Sequence, residues 1–167
     1  VKGMMMQGLS EEEARSRFCV LTINGALGKA DGAKGDPNHV DGISDLLEPW
    51  MCEDVSDGTS LQDTIKDFRP SVLLGLTTAK GIFNEGILRA MTDINDRPII
   101  MPMSNPTARA ECTAEEAYKY TDGKAVVATG SPFDPVVLDG KTYTPSQCNN
   151  MYIFPGIGLA ASVSKVS

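Results

Sequence analysis

An apolar run from Ile99 to Met103 that stops abruptly in Ser104-Asn105-Pro106-Thr107 constrains this chain more than any other stretch. Such a run reads as a strand buried on both faces, the pattern of a parallel sheet. The residues that follow are turn formers, so the chain must leave the sheet there. Open α/β sheets bind their ligands just beyond the carboxyl ends of their strands. Asn105 therefore stands either as a binding carboxamide or as a residue that only caps a turn. Pro102 lies within the run and would cost a ladder hydrogen bond unless its nitrogen faced outward or the strand had already ended.

The same grammar recurs along the chain. Ser10 and Glu13 form a capping box that opens a short helix to about Arg17, with an acidic first turn suited to the helix dipole. Phe18 to Ile23 then reads as a strand closed by Asn24-Gly25. Leu61 to Phe68 is amphipathic, and Arg69-Pro70 ends it. A strand over Val72 to Leu76 precedes a helix over Asn84 to Met91, whose inner face holds Ile87, Leu88 and Met91. Thr113 with Glu115-Glu116 opens another helix to about Tyr120, and Ala125 to Thr129 is a further strand. This alternation predicts parallel strands near 18–23, 72–76, 98–103 and 125–129 with helices in right-handed crossovers between them. Val136 to Leu138 and Thr142 to Tyr143 predict a hairpin about Asp139-Gly140. Asn149 to Ser167 predicts a last helix, kinked or started by Pro155.

Composition narrows the function. A chain of 167 residues suits one domain. Its net charge of −7 disfavours nucleic acid and anionic membrane surfaces as partners. No apolar run approaches the ~20 residues needed to span a bilayer. Cys19, Cys52, Cys112 and Cys148 form no Cys-x-x-Cys pair, and reduced thiols are expected. The single histidine, His39, falls in a Gly/Asp/Pro loop and cannot build a histidine-based metal site. Glu53-Asp54 reads as solvated loop charge, and the glycines between Gly25 and Gly42 as a surface loop. Gly140-Lys141-Thr142 mimics the end of a phosphate-binding loop, but Pro135 stands where its first glycine must be. Gly156-Ile157-Gly158-Leu159-Ala160-Ala161 fits Gly-x-Gly-x-x-Ala, yet Pro155 directly precedes it, and the sequence ends before the position ~20 residues on where an acidic partner is expected. Small residues for close helix packing are the better reading. Val1 in place of Met, without a targeting segment, predicts a piece of a longer chain.

Three segments carry a resemblance: SNPTARAECTAEEAY (104–118), TGSPFDP (129–135) and QCNNMYIFPGIGLA (147–160). In this order and spacing they resemble the nicotinamide-cofactor domain of the malic enzymes. LSEEEARSRF (9–18) and LLGLTTAKGIFNEGILRAM (73–91) are similar to it as well, and the likeness is weakest between Ala26 and Gln62. The resemblance implies an α/β fold, a Rossmann-like parallel sheet with flanking helices, with residues 1–167 as an incomplete NAD(P)-binding domain. It implies a fragment of an oxidoreductase that decarboxylates malate to pyruvate and CO2 with NAD or NADP and Mg or Mn. A divalent ion suits that chemistry because it polarises the developing ketone and stabilises the enolate.

By motif match, Asn105 and Asn149 would contact the substrate, and Gly75, Leu76 and Thr77 would line the cofactor. A carboxamide can orient a carboxylate without adding charge. The resemblance implies that the family's metal ligands, its acid and base, and its glycine-rich phosphate loop belong to regions before Val1, and none has a match here. No catalytic or metal-binding residue is therefore assigned, and the chain by itself is expected to turn over no malate. Thr22 stands where the family has an acidic residue that reads the adenosine ribose, and Cys148 where a glycine is usual. A homo-oligomer is expected at full length. A non-catalytic homologue kept for binding or assembly is the alternative reading.

Overall fold

The computed structural model describes residues 1–30 and 47–153, together with 155, 156, 159, 162 and 163. It divides into two compact units, Val1–Arg69 and Pro70–Ser167. His39, the glycines at 32, 35 and 42 and most of the Gly156 to Ala161 segment lie outside the described residues.

The second unit is the parallel sheet that the apolar runs predict. Strands β3 (Val72–Gly75), β4 (Ile99–Pro102), β5 (Val126–Thr129) and β8 (Ser146–Gln147) lie side by side in that order. All three pairings are parallel, and Leu73, Ile100 and Val127 share one row of the register. Helix α4 (Glu85–Ile94) connects β3 to β4, and α5 (Ala114–Tyr120) connects β4 to β5. Because the strand order runs one way, right-handed crossovers put both helices on the same face.

Burial follows from that topology. The helix-side row of Leu73, Ile100 and Val127 is buried, together with Ile87, Leu88 and Met91 of α4 and Ala114, Ala117 and Tyr118 of α5. On the opposite face Val72 is 43% exposed and Leu74 51% exposed, while Ile99 and Met101 of β4 are half-buried, so that face is less covered than the helix side. Strand β8 carries no apolar run and was not foreseen; it pairs through Ala128–Ser146 and Thr129–Gln147. Hairpin strands β6 (Val136–Leu138) and β7 (Lys141–Tyr143) pair as expected about Asp139-Gly140, both of which have positive φ. Of the tail, a 3-10 turn over Asn150–Ile153 is described.

Helix starts behave as their sequences dictate. Thr113 Oγ1 accepts the Glu116 N–H at 3.1 Å while Glu116 accepts the Thr113 N–H at 2.8 Å, a reciprocal box. Asn84 accepts the Ile87 N–H at 3.2 Å and caps α4.

The first unit departs from expectation. Helices α1 (Lys2–Met5) and α2 (Glu11–Arg15) form, and α2 keeps its Ser10–Glu13 capping box. The strand expected over 18–23 shrinks to β1 (Leu21–Thr22). It pairs antiparallel with β2 (Gly25–Ala26) and does not join the four-stranded sheet. Asn24-Gly25 explains this outcome. Gly25 has φ 110° and turns the chain straight back, and Thr22 Oγ1 closes the turn by accepting the Asn24 N–H at 3.1 Å and donating to the Gly25 carbonyl at 3.3 Å. Helix α3 (Leu61–Phe68) runs where its amphipathic pattern places it, capped by Ser60 and ended by Arg69 at φ 51°. One buried cluster of this unit is Ala26, Cys52 and Val55, with Cys19, Leu21 and Phe68 against it, and Ala14, Leu27 and Ile65 are buried as well. All four cysteines are unbridged.

Candidate functional site

Parallel strands end at the same edge, so the segments after β3, β4 and β5 meet there. The ladder continues into them. Met103 N–H donates to the Gly75 carbonyl at 3.0 Å, Gly130 N–H to Pro102 at 3.0 Å, and Cys148 N–H to Thr129 at 2.8 Å. Pro102 is the last residue of β4 and keeps the acceptor half of its pairing, which resolves its place in the strand. The turn after β5 lies hard against β4. A Cβ on Gly130 would fall 2.0 Å from the Met103 carbonyl oxygen, so only glycine fits.

Asn105 and Asn149 attach to adjacent residues of that turn. The buried Ser131 hydroxyl donates to Asn105 Oδ1 in a short hydrogen bond. Asn149 Nδ2 donates to the Gly130 carbonyl at 2.9 Å, and its Oδ1 accepts the Met151 N–H at 2.9 Å. Asn105 is exposed and Asn149 half-buried. The 3-10 turn that follows, Thr107–Arg109, is N-capped by Pro106 with no side-chain bond, so Asn105 does not serve as its cap. A carboxamide has two N–H donors. With their oxygens occupied, both side chains keep at least one donor for an anion. Cys148 does not adopt positive φ, so the cysteine sits there without backbone strain.

A buried carboxylate lies beneath the same edge. Glu111 is fully buried and receives donors from two segments. Thr77 gives its N–H at 2.9 Å and its hydroxyl at 3.2 Å, and Ser104 gives its N–H at 3.3 Å and its hydroxyl in a short bond. Ser104 Oγ also accepts the Thr78 N–H at 2.8 Å, and Thr78 takes a left-handed φ of 56°. Gly75 makes room for this arrangement, since a Cβ there would lie 2.6 Å from Glu111 Cγ and Cδ. Burial pushes the Glu111 carboxyl up, but the bonds from Ser104 and Thr77 outweigh it and hold it below the ordinary glutamate value.

Gly75, Leu76 and Thr77 occupy the carboxyl end of β3. Gly75 is buried over Glu111, while Leu76 is 70% exposed and Thr77 is exposed. An apolar side chain beside an open backbone segment at a strand end suits one face of a flat cofactor ring. Thr22 belongs to the first unit's β-turn, where its hydroxyl is spent on Asn24 and Gly25. Among the described residues no three His, Cys, Asp or Glu side chains converge as a metal site requires. Sequence reasoning passed over Glu111, Ser104 and Ser131. Their signal was a Glu seven residues beyond the Ser of the turn cluster, inside an otherwise small-residue stretch.

The model of the "Malic enzyme, NAD binding domain" family matches residues 1–167. The NAD-dependent malic enzyme of Sodalis glossinidius is 47% identical over 162 residues, covering 96% of this chain and 28% of that protein. The mitochondrial NAD-dependent malic enzyme of Ascaris suum is 43% identical, covering 99% of this chain and 24% of that protein. For the NAD-dependent malic enzyme of Shewanella sp. (strain MR-4) the identity is 44%, covering 98% and 29%. The chain thus spans well under a third of the length of these relatives. Its residues 1–167 belong to the malic enzyme family, within the family's NAD-binding domain.

Proposed function

We propose that this chain is the cofactor-side part of an enzyme that oxidises malate with NAD and decarboxylates it to pyruvate, with Mg or Mn at the site. NAD is preferred to NADP because the relatives described above are named NAD-dependent. The observation that carries the reading is the pairing of Asn105 and Asn149 on the Gly130-Ser131 turn. Asn105 is held by its oxygen alone and Asn149 by its oxygen and one N–H, which leaves two and one N–H donors for the oxygens of a small dicarboxylate without adding positive charge. Gly75, Leu76 and Thr77 would line the cofactor, which when bound accepts the hydride. The described residues supply no metal triad, so no step is assigned to them through Mg or Mn. Their part is to bind and orient the substrate.

The test is steady-state kinetics in the full-length enzyme that carries this segment, at saturating metal. A hydrogen bond to a charged group contributes roughly 1.5–3 kcal/mol. Asn105→Ala and Asn149→Ala are each expected to lower kcat/KM for malate by about 10- to 100-fold, with a smaller effect on cofactor binding. Wild-type kcat/KM in both folded variants would remove these residues from the site. Absence of malate oxidation in the unaltered protein would favour a binding or assembly role, and turnover with NADP in preference to NAD would reverse the cofactor assignment.

A further inference from the structure

Glu111 is the most demanding group in the second unit. A fully buried carboxylate is costly unless hydrogen bonds replace its water. Here the four bonding groups around it are all donors, two from the segment after β3 and two from the segment after β4. Ionised carboxylates accept about four hydrogen bonds, so this is the complement for which the shell is built. The Ser104 hydroxyl has one proton and spends it on Glu111. Its lone pair is thereby turned to Thr78, whose N–H it accepts. Thr77 behaves alike, giving its hydroxyl proton to Glu111 and accepting the Ala79 N–H at 3.1 Å. One negative charge thus sets the direction of two hydroxyls and three backbone N–H groups across Thr77 to Ala79, besides that of Ser104.

We propose that Glu111 is a positioning residue of the malate site: its carboxylate fixes the segment carrying Leu76 and Thr77 against the segment carrying Ser104 and Asn105. The inference rests on the function proposed above. It goes further, because the cofactor-side and substrate-side segments then share one buried anchor that touches neither ligand. A neutral isostere cannot replace it. The amide of Glu111→Gln would set N–H donors against the N–H donors of Thr77 or Ser104, and one segment would be released.

The experiment uses the full-length enzyme carrying Glu111→Gln, Ser104→Ala and the pair, with two readouts. Hydrogen–deuterium exchange is followed in peptides covering 76–80 and 103–109. Kinetics are measured with malate and NAD varied separately. Glu111→Gln should speed exchange in both peptides, lower kcat by about 10- to 100-fold, and raise the KM for malate and for NAD together. The double variant should lose little more than Glu111→Gln alone, because both changes break the same connection. Ser104→Ala keeps the other donors of the shell and gives the same test if Glu111→Gln does not fold: it should release Thr78 and lower kcat. Wild-type kcat and exchange in either folded variant would overturn the proposal. So would fully additive losses, or a lowered melting temperature with kinetic constants intact. If the unaltered enzyme oxidises no malate, the functional reading fails, and the exchange data still decide whether Glu111 ties the two segments.

Discussion

The two units of this chain join distant segments in different ways, the first through loop hydrogen bonds and the second through a parallel sheet. In Val1–Arg69 a two-residue hairpin is tied to residues 52–59 by loop hydrogen bonds, such as Ala26 N–H to the Thr59 carbonyl at 2.9 Å and Cys52 N–H to the Leu27 carbonyl at 2.8 Å, and by an isolated parallel bridge between Gly28 and Cys52. In Pro70–Ser167 the strands pair across long stretches of sequence, and Leu73, Ile100 and Val127 form a continuous buried row under two helices. The difference shows what a site needs. Parallel pairing brings the ends of several strands to one edge, so residues as distant as Thr77, Asn105, Gly130 and Asn149 meet there; the β1–β2 hairpin draws in residues 58 and 59 through Ala26 but lines up no row of strand ends.

Core truncation is the strongest way to break that contrast. Ile100 is fully buried in the central strand, so Ile100→Ala is expected to cost about 2–5 kcal/mol in urea unfolding. Val55→Ala in the first unit removes less apolar volume from a smaller cluster and should cost about 2 kcal/mol, read from the fluorescence of the single tryptophan, Trp50, which stacks edge-on to Phe18 at 6.0 Å. The reverse order would mean that the first unit's core is the tighter one. Caps should erase the distinction, because they act within one turn wherever they lie. Thr113→Ala and Ser60→Ala should each cost about 1 kcal/mol, and a large disparity between them would show that a cap also serves tertiary structure.

The smallest effect near neutrality, and a growing one in acid, is expected from pH. Glu111 titrates below its unfolded value of roughly 4.3, so its ionised form stabilises the fold fully above that pH and loses this contribution as pH falls through the lowered folded value. Glu13 in the first unit is also lowered, by the N–H and hydroxyl of Ser10, but it is fully exposed. Acid sensitivity should therefore concentrate in the second unit. Thermal melts between pH 7 and 3 test this: Glu111→Gln should flatten the acid fall in stability, and an unchanged slope would place the sensitivity elsewhere.

Whether a segment could be read from sequence depended on the range of the interaction that shapes it. Ser10 and Thr113 announced their helices because a cap is settled within three residues. The runs at 72–76, 98–103 and 125–129 announced a parallel sheet by their continuous apolar character, although only their helix-side row is fully buried. Phe18 to Ile23 has that character too, yet Gly25 at positive φ overrode it and folded the strand back. Strand β8 was silent because Ser146–Gln147 at a sheet edge, both exposed, has no apolar side to show. In the candidate site, Asn105 was proposed from the strand-end rule and motif resemblance and Asn149 from the resemblance, and both lie against the Gly130-Ser131 turn. Glu111 was not proposed, since a buried carboxylate looks like any surface glutamate until its donors are known.

The alternation of exposure along β3 has a colloidal consequence. Val72, Leu74 and Leu76 are 43%, 51% and 70% exposed, and Val126, which shares a register row with Ile99 and so with Val72, is 36% exposed. This is a greasy plane on a molecule that otherwise keeps its copies apart by a charge of −7. Repulsion of that kind reaches only about 8–10 Å at physiological salt, whereas apolar adhesion does not fade with ionic strength. Shelf life of the 167-residue chain is then a contest between two surfaces of the same particle, and added salt tilts it towards clumping by silencing only one of them.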